Sequence, residues 1–162
     1  MANRDEPQGF RPCGVPLRVN PYTAGGTIYP GDPVKLKSDG TIEVADTTAA
    51  LCGIAASYAI VGETVLVFDH PDQQFIGQSD SADIDAATDL NINYAVVLGT
   101  ASTAYRLSRA EIDGDSGVSN SNYPLKALRL EPKAGNALGA NADIVVKINN
   151  HQLAGGTGTT GV

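Results

Sequence analysis

The sequence predicts an all-β protein, a small β-barrel or β-sandwich with an extended N-terminal arm and a flexible Gly/Thr-rich C-terminal tail. Three observations lead to this fold class. The 162 residues include 18 glycines and 9 prolines, which favour many tight turns over long helices. Hydrophobic residues make up 42% of the chain and recur from end to end, as in a folded domain. Short alternating apolar runs are separated by turn residues about every 8–12 positions, as in sandwiches and barrels.

The two ends differ in composition from the rest of the chain. Residues 1–25 are rich in Pro, Gly and Arg with scattered apolar residues, which indicates an extended arm outside the core. Residues 154–162 form a low-complexity Gly/Thr run that is flexible in isolation. We therefore divide the chain into the arm, a single β domain over residues 26–153, and the tail.

A β-hairpin is the clearest local pattern. Its two short runs place four apolar residues on one face: Val34, Leu36, Ile42 and Val44. Between the runs, Asp39 and Gly40 are expected to supply the positive-φ positions of a tight turn. Lys35 and Lys37 fall on the same outer face as Glu43, which is a favourable cross-strand arrangement of charges.

Further strands are predicted at regular spacing along the domain. They cover residues 51–57, 64–69, 74–78, 91–98, 105–109, 125–130 and 143–149. Residues 81–90 have the composition of a short helical turn, with Ser79 or Ser81 as its N-cap.

The charge balance argues against nucleic acid as a direct partner, because the net charge is −7. Residues 1–37 hold five cations against three anions, whereas residues 63–115 hold ten acids against two arginines. Such unlike surfaces suggest contacts between copies or with a partner. No apolar run approaches the roughly 20 residues of a membrane helix, so no membrane partner is expected. The opening residues lack the apolar stretch of a secretory signal.

Two cysteines, Cys13 and Cys52, are too few for a disulfide framework and lack the spacing of a zinc or redox site. Cys52 lies in an apolar run and is interpreted as a small buried hydrophobe. Synthesis in a reducing compartment fits this cysteine usage best.

No catalytic constellation is visible, so we expect that the chain is not an enzyme and needs no cofactor. Gly114-Asp-Ser-Gly117 resembles the stretch around a trypsin-like nucleophile, but the chain is too short for the two-barrel fold that this mechanism requires. His70 and His151 lack suitable flanking residues and are interpreted as surface or turn residues. The sequence contains no phosphate-binding loop, dinucleotide fingerprint or nucleophile elbow.

The densest group of carboxylates consists of Asp80, Asp83, Asp85 and Asp89. Calcium takes six to eight oxygen ligands, and clustered Asp residues on a loop could supply several of them. Their spacing matches neither an EF-hand nor a nonapeptide repeat, and a solvated acidic loop with a helix cap explains it equally. We expect no metal site and keep these four residues as the calcium candidates.

What remains is interaction chemistry on the arm. Its candidate partner-binding residues are Arg4, Phe10, Arg11, Pro12, Val15 and Leu17. The arginines could pair with acidic surfaces, and Phe10 could place an aromatic anchor in a neighbour's groove. The alternative interpretation is an arm without a role.

Several runs resemble those of the small capsid decoration (cement) proteins of tailed bacteriophages. They are TIYPGDPVKLKSDGTIEVA (27–45), LCGIA (51–55), YPLKALRL (123–130), GN (135–136) and DIVVKINNHQL (143–153). The resemblance implies a small β-barrel or β-sandwich on the outer surface of the virion, often a homotrimer, that clamps adjacent subunits of the major capsid protein. It also implies termini that reach onto the shell or onto neighbouring decoration subunits, and synthesis in the host cytoplasm. The function expected on this basis is capsid stabilisation.

A second function stays open at this point. A β module of a phage tail or surface adhesin that binds calcium or carbohydrate would share the acidic body and the lack of a catalytic constellation. The group Asp80–Asp89 is the feature that separates the two readings.

Overall fold

In a computed structural model, the residues described are 3–81, 84–155, 158 and 161. They form twelve β-strands and three single-turn 3₁₀ helices. The strands are β1 (Arg11–Pro12), β2 (Asn20–Thr23), β3 (Pro33–Leu36), β4 (Ile42–Val44), β5 (Gly53–Ala55), β6 (Thr64–Phe68), β7 (Gln74–Gln78), β8 (Asn93–Tyr94), β9 (Val96–Val97), β10 (Glu111–Ile112), β11 (Leu125–Leu130) and β12 (Asp143–Ile148). The 3₁₀ helices are Ala87–Asp89, Gly114–Ser116 and Gln152–Ala154.

The strands assemble into two five-stranded antiparallel sheets and one two-stranded pair. The first sheet has the order β1-β7-β12-β11-β8, the second β2-β6-β5-β3-β4, and β9 pairs with β10. Neither sheet closes into a barrel within the described residues, although a single bridge joins Ala24 to Ile42 at the edges of the second sheet. The all-β prediction is confirmed, and the arrangement is consistent with the β-sandwich rather than the barrel. No helix in the described ranges is long and apolar enough to cross a membrane.

Alternating side chains of the second sheet enter two different hydrophobic clusters. On β6, Val65 and Val67 point into the smaller cluster, which also contains Ile28 and Ala59. Ile54 of β5 points to the other face, into the larger cluster that the first sheet fills with Phe75, Ile144 and Val146, among others. This two-residue period is what the alternating sequence pattern encodes.

The hairpin of β3 and β4 forms as predicted. Val34 pairs with Val44, Lys35 with Glu43, and the Lys35 ammonium lies 3.4 Å from the Glu43 carboxylate. Gly40 alone of the turn residues takes a positive φ, of 83°, so the turn uses the glycine but not Asp39 in that conformation. The predicted hairpin is therefore confirmed, but its turn has one positive-φ residue where two were predicted.

Other strand predictions vary in accuracy. The predicted strands 74–78 and 125–130 coincide with β7 and β11. The predicted strand 91–98 is two strands, because the amide of Ala95 turns to the Ser116 hydroxyl, at 2.8 Å, between them. The strand predicted over 105–109 is wrong, because Arg106 takes a left-handed φ of 50° in a tight turn.

The helical turn predicted within 81–90 is limited to Ala87–Asp89. Its predicted caps are wrong, because the Ser79 hydroxyl accepts a hydrogen bond from the amide of Ala142 at 2.9 Å. The carboxylate of Asp89 accepts instead from the amides of Asp85 and Ala86 at the start of the turn, at 3.1 and 2.9 Å.

The second half of the predicted arm is packed into the fold. Phe10 is 2% exposed, and its ring lies so close to Gly77 that a Cβ on that glycine would stand 2.3 Å from it. β1 pairs with β7 and β2 pairs with β6, so β1 and β2 each form an edge of one sheet. The expectation of an arm outside the core is wrong here, because prolines interrupt the alternation that would have indicated strands. Edge strands are where proline is tolerated in a sheet.

Two tail residues are described, and both contact the domain. The amide of Gly161 donates to the carbonyl of Ser119 at 3.3 Å. At Gly158, a Cβ would lie 2.1 Å from the carbonyl oxygen of Ser121. Glycine permits this close approach, which a larger residue would prevent.

Candidate functional site

The most exposed apolar side chains of the arm lie on residues 13–19, which we call the crossing segment. The segment leaves β1 at the edge of the first sheet and enters β2 at the edge of the second, so it crosses the flank where both sheets end. Val15 is 84% exposed, Leu17 56% and Val19 40%. Leu66 of β6, which pairs with Pro21 of β2, adds a fourth exposed side chain at 42%.

Four partly buried hydrogen bonds hold the end of the crossing segment and the start of β2 against Asp69, which is 1% exposed. One carboxylate oxygen accepts from Arg18 Nε at 2.7 Å. The other accepts from Asn20 Nδ2 at 2.9 Å and from the Tyr22 hydroxyl at 2.6 Å. Arg18 Nη2 also donates to the main-chain carbonyl of Asp69 at 2.9 Å. The buried carboxylate thus joins three residues of one strand edge to the end of β6.

A second buried side chain fixes the middle of the crossing segment. Gln73 is almost fully buried, and its Oε1 accepts a hydrogen bond from the amide of Leu17 at 2.8 Å. Its Nε2 donates to the carbonyl of Gln74 at 2.8 Å, which sets the orientation of the amide group. Together with Asp69, this residue holds the backbone while leaving the side chains of Val15 and Leu17 in solvent.

The ionisation of this cluster follows from its hydrogen bonds. Burial opposes the charge on Asp69, but the hydrogen bonds from Tyr22, Arg18 and Asn20 outweigh it and hold the pKa of Asp69 below its ordinary value. Burial, followed by the hydrogen bond to Asp69, raises the pKa of Tyr22 far above its ordinary value. Burial also raises the pKa of the Cys52 thiol, which favours an uncharged, unreactive group.

Proline limits how a partner could engage this edge. The amide and carbonyl of Leu66 are directed to Ser57 and Ala56, away from β2. Pro21, which pairs with Leu66, therefore directs its own main chain outward, where it has no N–H to offer. The edge is unsuited to strand addition, so contact through the exposed side chains is the favoured mode.

The structure separates the six candidate residues of the arm. Val15 and Leu17 lie together on the crossing segment, Pro12 is part of β1, and Phe10 is buried in the core. Phe10 therefore cannot serve as an aromatic anchor for a neighbour while the fold is intact. The two arginines are both in ion pairs within the chain: Arg4 lies 2.9 Å from Glu6, and Arg11 lies 3.2 Å from Glu131.

Sequence reasoning missed Val19, Leu66 and the two anchoring side chains. Leu66 could have been found, because the buried neighbours Val65 and Val67 leave it on the opposite face of β6. Asp69 and Gln73 lie about 50 residues from the segment that they hold. No local sequence pattern predicts a contact over that separation.

The calcium candidates do not converge in the described part of the chain. Asp80 accepts a hydrogen bond from the amide of Gly114 at 3.2 Å, whereas Asp89 caps its own 3₁₀ turn. Asp85 is exposed, and Asp83 lies outside the described residues. No three His, Cys, Asp or Glu side chains among residues 3–81, 84–155, 158 and 161 are grouped so that they could hold a metal ion.

The protease-like motif and the histidines have structural roles. The Ser116 hydroxyl donates to the carbonyl of Asp113 at 2.7 Å and accepts from the amide of Ala95. His151 is buried at the N-cap of the last 3₁₀ turn, so it is a turn residue and not a surface residue, and its Nδ1 accepts from the amide of Leu153 at 3.1 Å. Cys52 is buried as expected, and both cysteines are free thiols.

The arrangement that these residues build is a fixed, exposed apolar surface at the flank of two sheets. Such a surface can bind another protein without ordering a mobile segment first. No protein-family model matches the chain, and no curated protein matches it significantly.

Proposed function

We propose that this chain is a structural virion protein that decorates the outer surface of a tailed-phage capsid and stabilises the shell by clamping adjacent coat subunits. The observation that supports the proposal most directly is the crossing segment, with Val15, Leu17 and Val19 exposed on a backbone that Asp69 and Gln73 hold in place. Exposed apolar side chains at fixed positions are typical of a protein-binding surface.

The energetics of a decorated shell suit a small surface of this kind. Burying three or four aliphatic side chains contributes about 1.5–3 kcal/mol each at most, before the cost of association is subtracted. A single contact of this size binds weakly. Copies that each touch two coat subunits gain from effective concentration, and the repetition around a capsid supplies the overall stabilisation.

The partners follow from the same proposal. They are the major capsid protein, other copies of this chain in a homotrimer, and neighbouring decoration subunits. The protein is made in the host cytoplasm and is then located on the outer capsid surface. It acts through contacts between proteins, with no part for a cofactor, nucleic acid or a membrane.

Co-sedimentation with capsids stripped of this protein tests the proposal. We expect the native chain to saturate at a simple fixed ratio to the coat protein and to raise the temperature at which the particles break. Val15→Asp with Leu17→Asp should weaken binding by about tenfold or more, because two charges then replace apolar contacts. The folded state should be unaffected, since both side chains are in solvent.

Val61→Asp is the matched control, because Val61 is also an exposed valine but lies on a loop away from the crossing segment. It should bind as the native chain does. Failure of the native chain to bind stripped capsids would overturn the proposed function. Native-like binding by the Val15 and Leu17 double variant would show that the crossing segment does not contact the capsid.

A further inference from the structure

Residues 3–8 form an N-terminal strap that lies across the surface and is held by two side chains. Asn3 Nδ2 donates to the carbonyls of Ala137 and Ala140, at 2.8 and 2.9 Å, and its Oδ1 accepts from the amide of Ala137 at 3.0 Å. Gln78 accepts from the amide of Glu6 at 3.0 Å and donates to the carbonyl of Arg4 at 2.9 Å. Beyond the strap, Phe10 anchors the chain in the core.

Clefts flank the strap on both sides. One, of about 350 Å³, lies between the strap and the loop that contains Lys133 and Asn136. The other, of about 330 Å³, lies between strap residues 5–8 and the turn that contains Tyr105. The strap therefore depends on a few hydrogen bonds rather than on close packing, and a small change in local free energy can release it.

The hydrogen bonds of Gln78 place Asp5 of the strap above a group of carboxylates. Gln78 binds the residues before and after Asp5, and it lies two positions ahead of Asp80. Ser79 pairs with Ile112 in a parallel bridge, and the amide of Asp80 donates to the carbonyl of Ile112 at 3.0 Å. This register puts Gln78 opposite Glu111, and it puts Asp80 opposite Asp113. Gln78 thus brings strap residue Asp5 close to Glu111 of β10, with Asp80 two positions along on the same face of the chain as Gln78.

The surroundings of Glu111 favour its protonated form. Burial, reinforced by the charges of Asp5 and Asp80, raises the pKa of Glu111 to about 7, and Arg109 opposes the shift. Its cross-strand partner Val97 carries no charge. Farther along the chain, burial and then the charges of Asp80 and Asp115 raise the pKa of Asp113.

We propose that the N-terminal strap is a proton-controlled clasp, closed while Glu111 is protonated and released when Glu111 ionises beneath Asp5. Closing the strap brings the Asp5 carboxylate toward Glu111, so the closed state binds a proton more tightly than the open state. By linkage, protonation then favours the closed state and ionisation the open one. The inference concerns the chain by itself and does not depend on capsid binding.

Hydrogen exchange at two amides measures the clasp directly. Glu6 N–H binds Gln78 and Ala137 N–H binds Asn3, so both are protected only while the strap is closed. After correction for the intrinsic pH dependence of exchange, we expect their protection factors to fall by about tenfold between pH 5.5 and 8.5, since each unit of pKa difference is tenfold. The amide of Asn149, bound to Pro124 in the core region, should keep its protection.

Three variants decide the assignment. Glu111→Gln and the strap variant Asp5→Asn should each keep the two amides protected at pH 8.5. Asp5 is exposed, so its variant tests the clasp even where Glu111→Gln disturbs the fold. Asp72→Asn removes the same charge from the opposite end of β7, about 20 Å away, and should behave as the native chain. Equal protection at both pH values in the native chain, or an unchanged pH effect in Asp5→Asn, would overturn the proposal.

Discussion

At the scale of single residues, Asp69 does the most to define the candidate site. It is a buried carboxylate whose hydrogen-bond donors come from three residues of one strand edge. Removing such an acceptor leaves several donors unsatisfied, and that penalty exceeds the loss of any one hydrogen bond. The carboxylate therefore stabilises the fold and also fixes the position of the crossing segment.

We expect Asp69→Ala to lower the free energy of unfolding by about 2–4 kcal/mol, because Arg18, Asn20 and Tyr22 all lose their acceptor. Urea denaturation at pH 7 measures this change. Asp72→Ala, at an exposed carboxylate three residues along, should stay within about 0.5 kcal/mol of the native chain. A similar loss of unfolding free energy in the two variants would show that the hydrogen bonds to Asp69 do not stabilise the fold.

At the scale of elements, the packing of Phe10 on β7 explains why residues 10–12 belong to the fold. Gly77 lies on β7, next to the edge strand β1, and the Phe10 ring occupies the space where a side chain would stand. Glycine weakens a strand in general, so its presence in β7 has a packing reason. The edge strand β1 and its neighbour β7 are thus matched to each other through one ring and one missing side chain.

Gly77→Ala should therefore destabilise the native chain by about 1–3 kcal/mol, through overpacking against Phe10. In the Phe10→Ala background, itself about 3–5 kcal/mol less stable, the same change should cost much less, because the ring is absent. A double-mutant cycle of unfolding free energies measures the coupling. Gly26→Ala is the control, since a Cβ there meets no atom of the described residues within 4 Å. Additive effects of the two changes would contradict the packing argument.

At the scale of the whole molecule, the buried His151 and the partly buried Glu111 give opposite dependences of stability on pH. Burial lowers the pKa of His151, so its contribution is present above the unfolded value of about 6.5 and is lost as pH falls below it. The pKa of Glu111 is raised to about 7, so the folded state is favoured below this value and loses that advantage as pH rises through it. The two dependences partly cancel between about pH 5 and 7.

Replacing the Glu111 carboxylate should leave a dependence of stability on pH that is due to His151. We expect Glu111→Gln to be more stable than the native chain at pH 8, by about 1–2 kcal/mol after allowance for solvent screening. Between pH 7 and 5 it should lose stability more steeply than the native chain, because only the His151 contribution remains in that range. Urea denaturation at four pH values measures both effects. Parallel pH profiles of the two chains would contradict this assignment.

The sequence by itself determined the features that depend on neighbouring residues. The all-β class, the hairpin of β3 and β4, and the strands β7 and β11 all follow from alternation and turn chemistry within a few positions. The candidate site was predictable only in part: Val15 and Leu17 were among the six partner-binding candidates of the arm and are exposed, whereas Phe10, also among them, is buried in the core.

Only the tertiary structure decided which distant segments meet. The anchoring of residues 17–22 on Asp69 and Gln73, the seating of Phe10 over Gly77, and the convergence of Asp5, Asp80 and Glu111 join parts of the chain 50 or more residues apart in most cases. Which strands pair depends on the combined burial of whole sheets. A local sequence pattern therefore does not predict these neighbours. The same reason explains why Arg11–Pro12 and Asn20–Thr23 became edge strands: the sheets supplied partners that the segment's own sequence does not indicate.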